Sequence, residues 1–206
     1  MQLLFVHGMG RTPLSGWPML RHLRRAGLRT GTFGYMTSVE DASAIGRRLA
    51  ARLADMGTQG DYAVIGHSLG GVLLRMAIAT LPADVQPPRH LFLLGSPIGA
   101  TRLAGRLQAH PVYRVLTRDC GQMLASAQRM ASIGPASVPV TSVIGMRGLS
   151  GRRGPFGGEP NDGVVALSEV EADWIGDQVR LPLVHTLLPA SARVAGVILD
   201  RLGSHG

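Results

Sequence analysis

A chain of 206 residues, 45% of them hydrophobic and only 4% aromatic, is long enough for one domain with a sizeable aliphatic core. Its net charge of +8 comes from Arg alone, because the sequence contains no Lys, and the Arg residues are scattered rather than clustered with aromatic residues. This pattern argues against nucleic-acid binding and is compatible with acidic or phosphate-bearing substrates. One cysteine, Cys120, excludes an internal disulfide and has no zinc-ligand pattern around it.

No apolar run approaches the length of a membrane span. The first ten residues lack the basic region and cleavage site of a signal peptide and enter an apolar run at once. We therefore expect a cytoplasmic protein without an integral membrane segment. The oligomeric state stays open.

Short apolar runs bounded by Gly, Pro or polar residues predict six strands, at 2–7, 28–35, 62–65, 89–94, 138–146 and 179–185. Helical periodicity predicts helices at 17–25, from a cap at Ser38 or Asp41 to 57, at 72–79, 101–108, 120–132 and 191–202. Strands that alternate with helices favour a mainly parallel sheet covered on both faces, an α/β class three-layer α/β/α sandwich. We expect one domain over residues 1–206, with a small flap at 98–134.

The stretch from Gly66 to Gly70, Gly-His-Ser-Leu-Gly, fits G-x-S-x-G with a strand before it and a helix after it. A Ser at such a sharp turn is exposed above the sheet, and glycines on both sides relieve the crowding of the backbone. The turn also leaves the Leu69 N–H near a helix N-terminus, where positive partial charge can meet an oxyanion. Ser68 is therefore the predicted nucleophile.

A nucleophilic Ser needs a base and a carboxylate that orients the base. His185 follows the sixth predicted strand and is the candidate base, whereas His7 and His67 are expected to be structural. Asp162, in the turn-forming sequence Asn-Asp-Gly, is the candidate acid, and the order Ser, Asp, His agrees with the motif. Its rivals are Glu171, Asp173 and Asp177, which lie in a more helical or surface-like context.

The second oxyanion donor should follow the first strand, where Met9 lies between two glycines and can offer its backbone N–H. Ser96 is a rival nucleophile by its Gly-Ser-Pro context. Pro97 has no N–H to donate, so Ser96 cannot form the same oxyanion hole and is expected to be structural.

Together, His7-Gly8-Met9-Gly10, the Gly-His-Ser-Leu-Gly-Gly stretch, the Asn-Asp-Gly-Val-Val stretch that starts at Asn161, and His185 resemble the α/β-hydrolase family, close to small bacterial lipases and esterases. The resemblance covers nearly the whole chain. It implies a minimal version of the fold, without the first two strands and without a large cap domain. It also implies ester hydrolysis through an acyl-enzyme, with no metal and no cofactor.

The predicted function is therefore that of a serine esterase or lipase acting on a small-molecule or lipid ester. A thioesterase or acyltransferase would use the same groups, and a hydrolase-like scaffold that binds an acyl ligand without turnover is the alternative outside catalysis. Candidates to line an apolar acyl pocket, each also explained by ordinary packing, are Leu14, Trp17, Ile98, Leu103 and Val164.

Access to the pocket depends on residues 98–134 and on the Gly-rich loop 147–160, a length that is itself typical of functional loops. Arg152 and Arg153 in that loop are either solvated charges or a contact for an anionic head group. We expect a small, partly open pocket that accepts soluble short or medium esters.

Overall fold

Six parallel strands form one sheet in the order β2–β1–β3–β4–β5–β6. The computed structural model describes residues 1–149, 151 and 154–203. The strands are β1 (Gln2–Val6), β2 (Arg29–Phe33), β3 (Tyr62–His67), β4 (Leu91–Leu94), β5 (Val140–Gly145) and β6 (Asp177–Leu181). Because all strands run the same way, their carboxyl ends share one edge, where loops after β1, β3, β5 and β6 can meet.

In the described part of the chain, seven α-helices connect or follow these strands: α1 (Trp17–Arg25), α2 (Ala42–Thr58), α3 (Leu69–Ala79), α4 (Arg102–Leu107), α5 (Pro111–Ala125), α6 (Ala127–Ala131) and α7 (Ala192–Gly203). Short 3₁₀ helices cover Pro13–Gly16, Leu167–Glu169 and His185–Ala190. Asp41 caps α2 by accepting a hydrogen bond from the Ala44 N–H at 2.7 Å, so of the two predicted caps Asp41 is the one used.

Each strand contributes alternate side chains to two cores, since successive residues of a strand face opposite sides of the sheet. In β1, Leu4 and Val6 belong to the larger core under α2 and α3, and Leu3 and Phe5 belong to the core under α1 and α7. The residues of β3 and β4 are buried throughout, as expected for central strands covered on both faces. The predicted three-layer α/β class with a six-stranded parallel sheet is confirmed.

Two predicted elements are wrong in their bounds. The sixth strand was expected at 179–185, but it covers Asp177–Leu181, because its pairing with β5 starts at Asp177 and Pro182 cannot donate to a ladder. His185 consequently begins a 3₁₀ helix four residues after the strand.

The helix expected at 120–132 is two helices. α5 begins earlier, with Pro111 in its first turn, and is kinked at Arg118, where the backbone is not helical. A break at Ser126 separates α5 from α6. Ser126 has extended backbone angles, and its hydroxyl caps α6 by accepting from the Arg129 N–H. Among the described residues, no helix combines the length and apolarity that crossing a membrane requires.

Candidate active site

Ser68 lies in the tight turn between β3 and α3 with φ 51° and ψ −123°. Positive φ is uncommon for a residue with a Cβ, so the turn is strained. A Cβ on Gly66 would lie 2.4 Å from the Gly71 Cα, and one on Gly70 would lie 2.3 Å from the Val6 carbonyl oxygen. Only glycine fits these two positions, and it lets α3 start directly above the ends of β1 and β3.

Asp162 is 2% exposed and is held by the backbone of its own loop. Its Oδ1 accepts hydrogen bonds from the N–H groups of Val164 at 3.0 Å and Val165 at 2.9 Å. Its Oδ2 is thereby directed to His185, whose Nδ1 lies 2.6 Å away. A charge-assisted hydrogen bond of this kind is roughly twice as strong as one between neutral groups.

His185 is 5% exposed and is fixed at three points. Its N–H donates to the Asp162 carbonyl at 2.9 Å, its Nδ1–H donates to the Asp162 carboxylate, and its carbonyl accepts from His67 Nε2 at 3.1 Å. Since Nδ1 keeps its proton and donates it in a hydrogen bond to the carboxylate, Nε2 is bare in the neutral tautomer, which is the form that can accept a proton.

His67 lies behind His185, with 4.7 Å between the ring centroids. Burial, with the nearby His185 ring as the next cause, holds the pKa of His67 well below its usual value. Because a carbonyl can only accept, the proton of the neutral ring is on Nε2, and among the described residues nothing bonds its Nδ1.

Gly95, which directly follows β4, is packed behind the Asp162–His185 pair with φ 54°. A Cβ at this position would lie 2.9 Å from Asp162 Oδ2 and 3.0 Å from His185 Nδ1. The glycine therefore leaves room for the carboxylate and the imidazole to meet.

The rival acids lie elsewhere. Asp177 starts β6 at the amino edge of the sheet and binds Arg201 and Thr141. Asp173 is exposed, and Glu171 forms a surface ion pair with Arg180.

The loop after β1 passes beside Ser68: a Cβ on Gly8 would lie 3.2 Å from the Ser68 Cβ. The Gly8 carbonyl accepts from His7 Nδ1 at 2.9 Å and from the Arg11 N–H at 3.2 Å. In a trans peptide the N–H points opposite to the carbonyl, so these two bonds fix the direction of the Met9 N–H. We call residues 7–11 the first loop.

Tyr35 holds the start of the first loop. Its hydroxyl donates to the His7 carbonyl at 2.7 Å, its N–H donates to His7 Nε2 at 3.4 Å, and the two rings stack with centroids 4.3 Å apart. Burial lowers the pKa of His7, which keeps the ring neutral with its proton on Nδ1. His7 thus has a bracing contact that sequence alone does not reveal.

Ser96 is fully buried, and its Oγ donates to the Ser68 carbonyl at 2.8 Å. Its hydroxyl therefore supports the turn from beneath rather than facing solvent. Of the other histidines, His90 lies at the start of β4 and bonds Thr141, and His110 precedes α5. His205 and the Arg152–Arg153 pair lie outside the described residues.

A cavity of about 70 Å³ opens at Ser68. We call residues 162–165 the acid loop. The walls of the cavity come from the first loop, the turn at Ser68, the segment after β4, α4, α5 and the acid loop: Met9, Ser68, Pro97, Thr101, Leu103, Ala104, Leu107, Tyr113, Leu124, Val164 and Val165. Leu103 and Val164 thus line the cavity with Ser68. Leu14 and Trp17 line a separate depression beside α1, and Ile98 packs against the larger core.

Two further side chains, those of Asn161 and Glu169, tie the surrounding segments together. The Asn161 side chain accepts from the Leu149 N–H and donates to the Leu149 carbonyl, both at 2.8 Å. The buried carboxylate of Glu169 accepts from the N–H groups of Arg102 at 2.7 Å and Ala166 at 2.8 Å. Leu149 and Arg102 are distant in sequence from Asn161 and Glu169, so local patterns carry no signal for those bonds.

Within residues 1–149, 151 and 154–203, no group of three or more His, Cys, Asp or Glu side chains is arranged to hold a metal ion. The arrangement itself offers a serine hydroxyl, an imidazole oriented by a buried carboxylate, and N–H groups at a helix start. Such groups can carry out nucleophilic acyl transfer.

Solved structures share this architecture along almost the whole chain. The mature lipase BlEst2 of Bacillus licheniformis has a TM-score of 0.72 at 15% identity, over 98% of this chain and 91% of that one. The thioesterase RedJ from the prodiginine pathway of Streptomyces coelicolor has a TM-score of 0.63 at 19% identity, over 99% and 89% of the two chains. A protein of the α/β hydrolase superfamily from Xanthomonas campestris pv. campestris has a TM-score of 0.64 at 15% identity, over 98% of each chain.

No protein-family model and no curated protein sequence matches this chain. The structural likeness nevertheless establishes the fold: the chain has a minimal α/β-hydrolase fold, and the resemblance drawn from its sequence motifs is confirmed at that level.

Proposed function

We propose that the chain is a serine carboxylic-ester hydrolase with Ser68 as nucleophile, His185 as general base and Asp162 as the acid that orients it. The observation that carries this proposal is the coincidence of a strained serine turn with a buried Asp162–His185 pair, 2.6 Å apart, at the same edge of the sheet. A structural role alone would not require a serine with positive φ beside a buried, hydrogen-bonded Asp–His pair.

The Ser68 hydroxyl attacks the ester carbonyl while His185 Nε2 takes its proton. Negative charge develops on the carbonyl oxygen and is met by the N–H groups of Met9 and Leu69. His185 then returns the proton to the leaving alcohol, and an acyl group stays on Ser68. A water molecule, activated by His185, hydrolyses the acyl-enzyme and restores the serine.

The walls of the cavity at Ser68 support an apolar acyl group next to the reacting carbon, with Leu103 and Val164 as contacts. Ser68 itself is partly exposed, which supports a partly open site for soluble short and medium esters. Hydrolysis at such a site needs no lipid surface.

A thioester of the same acyl group would meet the same nucleophile and the same donors. Because the structural neighbour RedJ is a thioesterase, thioester hydrolysis is the second candidate function. The two are separated by comparing kcat/KM for an oxygen ester and a thioester that share one acyl group.

The test is covalent labelling with a fluorophosphonate, which reacts with an activated serine. We expect a single label on Ser68, full labelling of Ser96→Ala and no labelling of Ser68→Ala. Ser96 is the matched control, because its hydroxyl is buried and already bonded. An unlabelled wild-type protein would favour a binding scaffold, and a labelled Ser68→Ala protein would place the nucleophile elsewhere.

A further inference from the structure

A second cavity lies on the same edge of the sheet as Ser68, on the far side of the first loop. Its volume is about 700 Å³, ten times that of the cavity at Ser68. Its apolar wall consists of Tyr35, Met36 and Val39, which follow β2, and of Leu116 on α5. Met36, Val39 and Leu116 are 62%, 68% and 58% exposed, and contiguous exposed apolar side chains of this kind mark a binding surface. We call this cavity the apolar groove.

The apolar groove and the cavity at Ser68 are separated by one loop and one helical turn. Met9 lines the cavity at Ser68, and the next two residues, Gly10 and Arg11, line the apolar groove. On the opposite wall, Tyr113 of α5 lines the cavity at Ser68 and Leu116 lines the apolar groove. A long substrate held at Ser68 therefore has the apolar groove within reach.

The proposed reaction determines whether the acyl chain or the leaving alcohol of the ester reaches the apolar groove. The leaving alcohol must lie on the side of His185, which protonates it, and His185 follows β6 at one end of the sheet. The apolar groove lies at the β2 end, beyond the N–H groups that would face the carbonyl oxygen. A chain that enters it from Ser68 is thus the acyl chain.

Beyond Ser38, which lines both cavities, a further depression of about 670 Å³ has Arg114 and Arg118 in its wall. Both side chains are exposed, and Arg118 Nη1 donates to the Ser38 carbonyl at 3.2 Å. The carboxylate of Glu40, at the edge of the apolar groove, is paired with Arg48 and accepts from the Met36 N–H. Among the described residues that line the two cavities, Arg11, Arg114 and Arg118 outnumber the carboxylate of Glu40, so the net charge of the walls is positive.

The backbone at Arg118 adds an independent observation. With φ 40° and ψ −127°, it has nearly the conformation of Ser68, and these two are the non-glycine residues with positive φ among the described residues. Strain of this kind persists where the surrounding structure holds a side chain in place, often at ligand-binding positions.

We propose that the apolar groove and the depression lined by Arg114 and Arg118 together bind an acyl chain that ends in an anionic group. This inference rests on the proposed ester hydrolysis and names its substrate class: an ester of a medium-length acyl chain with a terminal carboxylate. Hydrolysis adds one water across the ester bond and yields the alcohol and the dicarboxylic acid. Tyr35, Met36, Val39 and Leu116 cover the chain, and the guanidinium groups of Arg114 and Arg118 face the terminal carboxylate.

The experiment compares p-nitrophenyl octanoate with the p-nitrophenyl monoester of suberic acid, which has the same chain length and leaving group. p-Nitrophenyl acetate, which is too short to enter the groove, reports the basic reaction. In the wild-type protein we expect kcat/KM for the suberate monoester to exceed that for octanoate about tenfold, the value of one charge-assisted hydrogen bond. Leu116→Gln should lower kcat/KM for both long esters and leave acetate unchanged.

The double variant Arg114→Gln/Arg118→Gln should lose the preference for the suberate monoester while hydrolysing acetate and octanoate as before. The matched control is Arg24→Gln/Arg25→Gln on α1, which removes the same charge from exposed positions and should keep the preference. Circular dichroism checks that each variant is folded.

Several results would overturn the proposal. Equal kcat/KM for the two long esters would contradict the binding of an anionic chain end, and so would a preference that survives in Arg114→Gln/Arg118→Gln. Neither result would contradict acetate hydrolysis by Ser68. A preference lost equally in the α1 control would reduce the effect to net charge. If no ester is hydrolysed and no fluorophosphonate is bound, the proposed function fails, and the substrate class fails with it.

Discussion

The Asp162 carboxylate is held so that one oxygen serves the loop and the other serves His185. Oδ1 accepts from two backbone N–H groups, and this leaves Oδ2 as the acceptor for the imidazole. The orientation of the side chain is thus fixed by its own loop rather than by His185. Replacing the Asp162 carboxylate by the amide of Asn should therefore affect the bond to His185 and keep the bonds to the loop.

Asp162→Asn should keep the fold and lower kcat by about three to four orders of magnitude. The Asn oxygen can still accept from the loop, so its NH₂ group faces His185 Nδ1 and forces the ring proton onto Nε2, where the base must be bare. Steady-state kinetics and thermal unfolding measure the two effects. Asp173→Asn, at an exposed position, is the control, and near-normal turnover of Asp162→Asn beside a damaged Asp173→Asn or Glu171→Gln protein would move the acid role.

His67 should make the fold sensitive to acid. Burial depresses its pKa in the native state, so below about pH 6.5 the unfolded chain binds a proton that the native chain does not. Stability from this group is therefore present above that pH and is lost as the pH falls, by up to about 1.4 kcal/mol per pH unit.

We expect urea titrations between pH 7 and 5 to show a shallower loss of unfolding free energy in His67→Gln than in the wild-type protein. His22→Gln, at an exposed position of α1, should keep the wild-type slope. Equal slopes in wild type and His67→Gln would mean that His67 is protonated in the native state.

The buried side chain of Glu169 joins helix α4 to the acid loop. Its carboxylate accepts the N–H of Arg102, the first residue of α4, and the N–H of Ala166, which follows the acid loop. The Glu169 carbonyl also accepts from the Ile98 N–H at 2.8 Å. One buried side chain thus holds two walls of the cavity at Ser68 in register.

Glu169→Gln should lower the free energy of unfolding by about 1–3 kcal/mol, because the amide NH₂ would face a backbone N–H and leave it unsatisfied. It should also lower kcat/KM, since Leu103 and Val164 lie on the two walls that Glu169 joins. The control is Glu171→Gln, which breaks an exposed ion pair with Arg180 and should cost less than about 0.5 kcal/mol. Equal stability losses in the two variants would argue against this joining role.

The sequence predicted the elements whose signals are local. The apolar runs of β1, β3 and β4 and the periodicity of α1 and α7 gave the layers and the parallel sheet, and the glycines around Ser68 marked the turn. The break at Ser126 and the positive φ of Arg118 interrupt the helical backbone, and hydrophobic periodicity does not indicate either interruption. The end of β6 was misplaced because its apolar residues continue to Val184, past the proline that ends the ladder.

The same limit applies to the site. The residues of the Asp162–His185 pair were identified from motif order and position, whereas Gly95 behind them and Tyr35 beside His7 act through contacts between distant segments. Leu14 and Trp17 were named for their apolarity near the first loop, yet they lie on the α1 side of the sheet. Apolar character alone therefore does not tell which face of the sheet a residue serves.

For the whole molecule, strand order decides which groups can meet. The turn after β3, the first loop after β1 and the loops after β5 and β6 all lie at the carboxyl edge of one parallel sheet. Ser68 and His185 therefore come from segments more than a hundred residues apart. The proposed mechanism requires these two residues to act as one unit.

The most direct test of that claim is the kinetics of Ser68→Ala, His185→Ala and the double variant on one soluble ester. We predict that each single change lowers kcat by about four to six orders of magnitude and that the double variant is scarcely worse than either, as for groups that act together. Losses that multiply in the double variant, or a Ser68→Ala protein that keeps its turnover, would contradict the account.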